Sequence, residues 1–429
     1  MDWTRNPQKT ILRFDEKGWG KMDNVLWAKG FYQFLVGRFL SRVGDKLFLV
    51  ALPLLVEKMG YGAVLISLSS VLQYMANFIG GSLGGYLADR YNRKHLMLAV
   101  SLVQMASIVG VILSLTNKHV FLFVFLVSVF LLHLSGMVNR VNRFSMTSLF
   151  SGQGGISKAN AEIQVMESSA RIVGPLVAGI VIAKLNISFA LWMDALTFLV
   201  MFLVVTQFVR LDAIKAPKRQ QFKLFHVPRI LREDPSLKWY TLVYVLVTPV
   251  FSFVGAFNVY YMSEQVHLQG TGIGLTLTLT AVLSLVFGLI LRKFHKEFAT
   301  RSTLSIICAL VGVLMGILLF ALTHRWLLFF TGYTVYVLGM ELFNQQLNTL
   351  LQEKTPTELH GRVFSFSTNI SNIIAPITLV IGGLLSNSAN LGPIFCYTSA
   401  LILVALVIFV VSRQRSLDTT YSNTEEVVK

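Results

Sequence analysis

Apolar runs, each close to 20 residues long, follow one another from Phe31 to residue 412 and constrain this chain more than any other feature. They cover 31–56, 63–87, 96–115, 120–145, 161–183, 189–209, 239–262, 272–292, 302–322, 326–350, 363–385 and 392–412. A helix of about 20 apolar residues is long enough to cross the hydrocarbon core of a bilayer. The expectation is an all-α membrane protein with twelve transmembrane helices. Composition agrees. Of the 429 residues 54% are hydrophobic and 14% charged, with a mean hydropathy of +0.64, whereas soluble domains carry about 25% charge.

A net charge of +16 raises the question of nucleic acid. The basic residues lie mostly in short loops on one side of the apolar runs, which excludes that partner. Loops on the other side hold Lys58, Lys118, Lys184 and Arg325. Basic loops mark the cytoplasmic face, so both termini are expected there. Cys308 and Cys396 sit in apolar runs and form neither a metal set nor a disulfide framework. Residues 1–28 are polar and show no cleavable signal peptide. The 32 phenylalanines read as lipid-facing and packing groups.

The expected organisation is a cytoplasmic tail at 1–28, a six-helix bundle at 29–210, a cytoplasmic linker at 211–237, a second six-helix bundle at 238–413 and a tail at 414–429. Prolines 217, 228 and 235 and six basic residues, with Arg210 just before them, mark the linker. A 6+6 repeat around a midplane cavity is the architecture of alternating-access carriers.

A charge inside hydrocarbon is expensive and is a functional candidate by default. In the first run, Arg38, Arg42 and Lys46 form a basic stripe, and Asp45 stands three residues after Arg42, close enough to pair with it. Arg38 is expected to snorkel to the headgroups. Asp45 is the leading candidate for a proton or a cationic substrate, with a structural ion pair as its other reading. In the fifth run, Glu167 and Arg171 are spaced to neutralise each other, and Gly174-Pro175 with Gly179 form a helix-packing motif. Arg140 and Arg143 in the fourth run line a cavity, pair with Glu167 or neutralise headgroups. His133 and Asp194 read as hydrogen-bonded structural residues. Glu341 is the only acidic residue well inside the tenth run and is a second proton or cation candidate.

Between the second and third runs stands Gly85-Tyr-Leu-Ala-Asp89-Arg90-Tyr-Asn92-Arg93-Lys94. This break, expected as a tight turn, resembles the G-x-L-A-D-x-x-G-R-K loop of the major facilitator superfamily. Asn92 replaces a glycine there and is expected to take its left-handed backbone. Gly44-Asp45-Lys46-Leu-Phe-Leu-Val-Ala-Leu-Pro53, Ile172-Val-Gly174-Pro175 and Gly361-Arg362-Val-Phe-Ser365 resemble the drug:proton antiporter branch containing macrolide efflux proteins and siderophore exporters. Ala170 and Ala178 replace two glycines of its helix 5 signature. The resemblance implies a conformational gate of Gly85, Asp89, Arg90, Arg93, Lys94 and Arg362, with Asp89 contacting the start of helix 11.

The resulting expectation is a non-enzymatic multi-pass transporter of the bacterial inner membrane. It exports hydrophobic or amphipathic drug-like compounds by proton antiport, with Asp45, Glu341, Glu167, Arg42, Arg140 and Arg171 as coupling or substrate candidates. The alternatives are a lysophospholipid or lipid-substrate flippase, in which Arg42, Arg140 and Arg171 hold a phosphate, and a siderophore exporter. No cofactor or metal is expected; the proton gradient supplies the energy, and no phosphate-binding G-x-x-x-x-G-K-[S/T] loop occurs. The partners are a small amphipathic or cationic substrate and membrane lipid, and the chain is expected to act as a monomer.

Overall fold

The computed structural model describes residues 21–114, 121–150, 156–207, 235–294, 297–298, 301–354, 360–386 and 391–428. Twelve long helices lie among them: α1 Lys21–Lys58, α2 Gly62–Arg90, α3 Arg93–Ser114, α4 Phe121–Phe150, α5 Ile156–Lys184, α6 Ile187–Thr206, α7 Pro235–Glu264, α8 Gly270–Lys293, α9 Ser302–Ala321, α10 Trp326–Lys354, α11 His360–Ser386 and α12 Leu391–Val428. Ten of the twelve contain spans long and apolar enough to cross a membrane; α1 and α11 do not meet that measure. In α1 the apolar run is interrupted by Arg38, Arg42, Asp45 and Lys46. Two helices overrun their apolar cores: α1 starts ten residues before Phe31, and α12 continues through the polar residues after 412. The linker residues 208–234 and the first 20 residues lie outside the described ones.

Short connections make successive helices antiparallel. The link from α1 to α2 turns through Gly60 (φ 77°) and Gly62 (φ 57°), where only glycine is unstrained. The charged break after α2 is tighter than its sequence suggests. Helix α2 continues through Arg90 and α3 begins at Arg93, leaving Tyr91 and Asn92 as the whole connection. Asn92 is not left-handed, since His267 (φ 55°) is the only non-glycine with positive φ among the described residues. Its contribution is made by the side chain. Asn92 Oδ1 accepts from the Lys94 backbone N–H at 2.8 Å, and its carbonyl accepts from Leu96 N at 2.9 Å. That is N-capping geometry, which satisfies a donor the helix leaves open. Asn92→Ala is expected to cost about 1 kcal/mol, and Asn92→Gly a few tenths; thermal unfolding in detergent measures both.

Among the first six helices, α1 packs on α5 and α6, α3 on α4 and α6, and α2 on α4. Among the last six, α9 packs on α10 and α12, and α7 on α11 and α12. The core of the second set is aromatic. Phe395 lies 5.2 Å from Phe320 and 5.3 Å from both Tyr261 and Phe253, mostly edge to face, the arrangement ring quadrupoles favour. Two seams dominate the contact between the sets, α5 with α8 and α2 with α11.

Among the described residues, their polar contacts run from the middle of the bundle toward the end opposite the chain termini. Ser263 donates to Glu57 at 3.0 Å, Ser67 to the Leu379 carbonyl at 2.5 Å, and Thr278 to the Ile172 carbonyl at 3.1 Å. Tyr74 donates to Ser252. At α5–α8 the two backbones touch. A Cβ on Gly274 would stand 2.5 Å from the Pro175 carbonyl oxygen and 2.8 Å from the Gly179 Cα.

Candidate functional site

A cavity of about 240 Å³ is enclosed by α1, α2, α3, α4, α6 and α7. Its lining is mixed: Phe48, Leu49, Leu52, Pro53, Leu132 and Phe198 are apolar, and α1 and α4 also bring Arg42, Asp45, Lys46, Arg140 and Arg143 to it. The charges are there because α1 recurs every 3.6 residues and α4 carries arginines at positions 140 and 143.

The ion pairs differ from the sequence-based pairing in two ways. Arg42 Nη1 donates to Asp45 Oδ2 at 3.0 Å, as the spacing indicated. Glu167, however, does not pair with Arg171. It receives Arg42 Nη2 at 3.2 Å and also Arg38, tying α5 to α1. Arg171 instead donates to Ser168 at 3.1 Å. Arg38 does not snorkel either: it is 8% exposed and turned into the bundle. A carboxylate one helix away satisfies a guanidinium more fully than a distant headgroup, and the bidentate reach of arginine permits it. Lys46 and Arg140 have no carboxylate within 4 Å among the described residues. The Lys46 stem lies on Gly174, where a Cβ would come within 2.6 Å of Lys46 Cγ. Gly174 thus makes room for a cavity lysine.

The model of the Major Facilitator Superfamily matches residues 34–377 and, separately, 240–427. The chain belongs to the major facilitator superfamily. It is 24% identical over 410 residues to macrolide efflux protein A of Streptococcus pyogenes, covering 91% of this chain and 98% of that one. It is 24% identical over 346 residues to the enterobactin exporter EntS of Salmonella choleraesuis (78% and 80% covered). In fold it is similar to a bacterial homologue of the iron transporter ferroportin in an inward-facing state. That match has a TM-score of 0.74 and 17% identity, and it covers 90% of this chain and 98% of the other. This facilitator is therefore a multi-pass bacterial inner-membrane transporter of small molecules, with efflux proteins among its relatives, and not an enzyme.

Glu341 does not share the cavity of Asp45. It accepts from Ser284 in a second cleft of about 350 Å³ between α5, α8 and α10, together with Gln164, Ser168 and Arg171. The two sequence candidates for a proton are thus in separate places. At the charged connection, Gly85 has open space around it, Arg90 is exposed and donates to Tyr86, and Arg93 is buried with its carbonyl accepting from Asn142 Nδ2 at 2.9 Å. The side chains of Asp89 and Arg362 lie outside the described residues. His133 lines the main cavity, its ring 6.3 Å from that of Phe48.

Sequence reasoning missed the amides of the facilitator cavity. Gln73, Asn77, Gln104 and Asn258 all line it. The signal was present, because an amide inside a membrane span is a polar anomaly as much as a charge is. Asn258 donates to the Tyr333 hydroxyl at 2.7 Å, and Asn139 to Gln104 at 3.4 Å.

Asp194 is more than a helix residue: it is 1% exposed and lines the cavity, and neither carboxylate oxygen has a partner in good hydrogen-bond geometry among the described residues. The Thr197 hydroxyl, one turn on, donates to the Asp194 backbone carbonyl at 2.7 Å and lies beside the carboxylate.

Proposed function

We propose that this facilitator is a secondary efflux transporter that moves hydrophobic or amphipathic compounds out of the cell by alternating access, in exchange for protons. The observation that carries the reading is a cavity whose lining combines apolar and charged side chains, with the polar contacts described between α1–α6 and α7–α12 lying toward the end opposite the termini. With both termini cytoplasmic, the described contacts lie on the outer side, as an outward-closed state entered by solute from the cytoplasm or inner leaflet requires. The two six-helix groups rock about the cavity as halves, and the charged connection from Gly85 to Lys94, with Arg362, serves as the inner gate. Solute and proton each shift the equilibrium by binding the two states unequally. The export of macrolides and enterobactin named for two relatives supports the direction.

One observation favours a second reading, an anionic amphipath such as a lysophospholipid or siderophore. Lys46 and Arg140 bring positive charge to the cavity with no carboxylate in ion-pair range among the described residues. Proteoliposomes with a pH-sensitive dye inside separate the two. Ethidium, erythromycin and a lysophospholipid are added singly, without an imposed gradient. The antiport reading expects proton movement on addition of ethidium or erythromycin. Lysophospholipid transfer with a silent dye would replace it with the flippase.

A further inference from the structure

Asp194 stands two turns into α6 with no cation in ion-pair range among the described residues and only the neutral Thr197 hydroxyl beside its carboxylate. A carboxylate removed from water costs several kcal/mol unless it is paired or hydrogen-bonded, and this one is neither. Nor is it a loosely placed side chain. Gly44 of α1 lies directly against it, so that a Cβ at position 44 would stand 2.5 Å from Asp194 Oδ1 and 2.4 Å from Thr197 Oγ1. The absence of a side chain at Gly44 creates the space the carboxylate occupies.

The neighbouring elements supply charges but no bond. Helix α1 places Arg42, Asp45 and Lys46 along the same cavity, with Arg42 committed to Asp45 and Glu167. From α4 come His133, Arg140 and Arg143. The charged residues of α3, Arg93, Lys94 and His95, are all in its first turn, at the opposite end from Asp194. Helix α5 carries Glu162, Glu167, Arg171 and the terminal Lys184 among the described residues, and neither Arg171 nor Lys184 is within 4 Å of the Asp194 carboxylate.

We infer that Asp194 is the proton-binding group of the cavity. A proton is the one partner small enough to satisfy a carboxylate wedged between Gly44 and Thr197, and the cavity gives it a route to water. Binding is a plain protonation: one carboxylate oxygen takes a proton from cavity water, and releases it to water when the cavity changes the side it faces. Asp45 and Glu341 already hold donors, Arg42 and Ser284, and this distinguishes them from Asp194. As a transport step the inference rests on the proton-antiport reading above.

Infrared difference spectra of the purified full-length protein, taken across a pH titration, test it without a substrate. The carbonyl-stretch band of a buried carboxylic acid is expected in the wild type, lost in Asp194→Asn and kept in Asp45→Asn and Glu341→Gln. Labelling the unsubstituted protein with [4-¹³C]aspartate is expected to move the band, which needs no variant to fold. A band that ignores the label, survives Asp194→Asn or disappears in Asp45→Asn overturns the assignment. The same proteins then go into dye-loaded liposomes with ethidium. Proton movement in the wild type that is lost in Asp194→Asn and regained in Asp194→Glu supports both readings. Equal proton movement through wild type and Asp194→Asn overturns Asp194 and leaves antiport standing. A band that behaves as expected with no ethidium-driven proton movement upholds Asp194 and removes the antiport reading.

Discussion

Gly274→Val is expected to force α5 and α8 apart and to cut transport by between about 5- and 150-fold. The position allows no quiet accommodation. A Cβ on Gly274 meets the Pro175 carbonyl oxygen at 2.5 Å, the Gly179 Cα at 2.8 Å and the Gly179 nitrogen at 3.1 Å. All three are backbone, so no rotamer change can relieve the clash. Overpacking of this kind costs about 1–3 kcal/mol. The cost falls on the state in which the seam is closed, and a bias of that size corresponds to about 5- to 150-fold in a two-state equilibrium. Spin labels at the exposed residues Lys184, the last of α5, and Arg325, just before α10, report the separation of the two helix sets at that end. Their distance should lengthen in Gly274→Val and stay unchanged in Gly288→Val, because Gly288 on the same helix has nothing within 4 Å of its Cβ position. An unchanged Lys184–Arg325 distance in Gly274→Val would mean that the seam is not what closes that end.

Glu167→Gln should be the most destabilising single change among the paired charges of α1 and α5, at roughly 3 kcal/mol. One carboxylate serves two guanidiniums, Arg38 and Arg42, and Arg38 is nearly buried. Removing one member of a buried pair costs about 3–5 kcal/mol because the other is left uncompensated. The lower end applies because the Glu167 side chain is 31% exposed and water screens part of the loss. Replacing both partners, as in Arg38→Met with Glu167→Leu, should recover most of the stability, since the burial penalty of the arginine goes with it. Thermal unfolding in detergent decides the matter. Equal unfolding temperatures for Glu167→Gln and wild type would show that this contact does not hold α1 to α5.

The membrane fold was legible because hydrocarbon thickness imposes its own length on the chain. Every apolar run became a helix, with boundaries shifted where polar residues continue the same helix beyond the run, as before Phe31 and after residue 412. The pairing of charges was only half legible. Arg42 and Asp45 are three residues apart on one helix, and local geometry suffices. Glu167 meets partners 129 and 125 residues away, a choice fixed by how α1 lies on α5. Asp194 looked like a structural residue because nothing in the sequence says that Gly44 is its neighbour. Asn92 looked like a glycine substitute, but a side-chain oxygen solved the turn by capping instead.

The cavity draws its lining from α1, α2, α3, α4, α6 and α7, and none of it from α8–α12 among the described residues. On the proposed reading, the residues that meet solute are therefore encoded mostly in the first half of the gene. Helix α7 is the exception, since it lends Asn258 to the cavity and Phe253 and Tyr261 to the aromatic core. A substitution in α7 would thus touch both at once, whereas one along α1 or α4 would leave the aromatic core as it is.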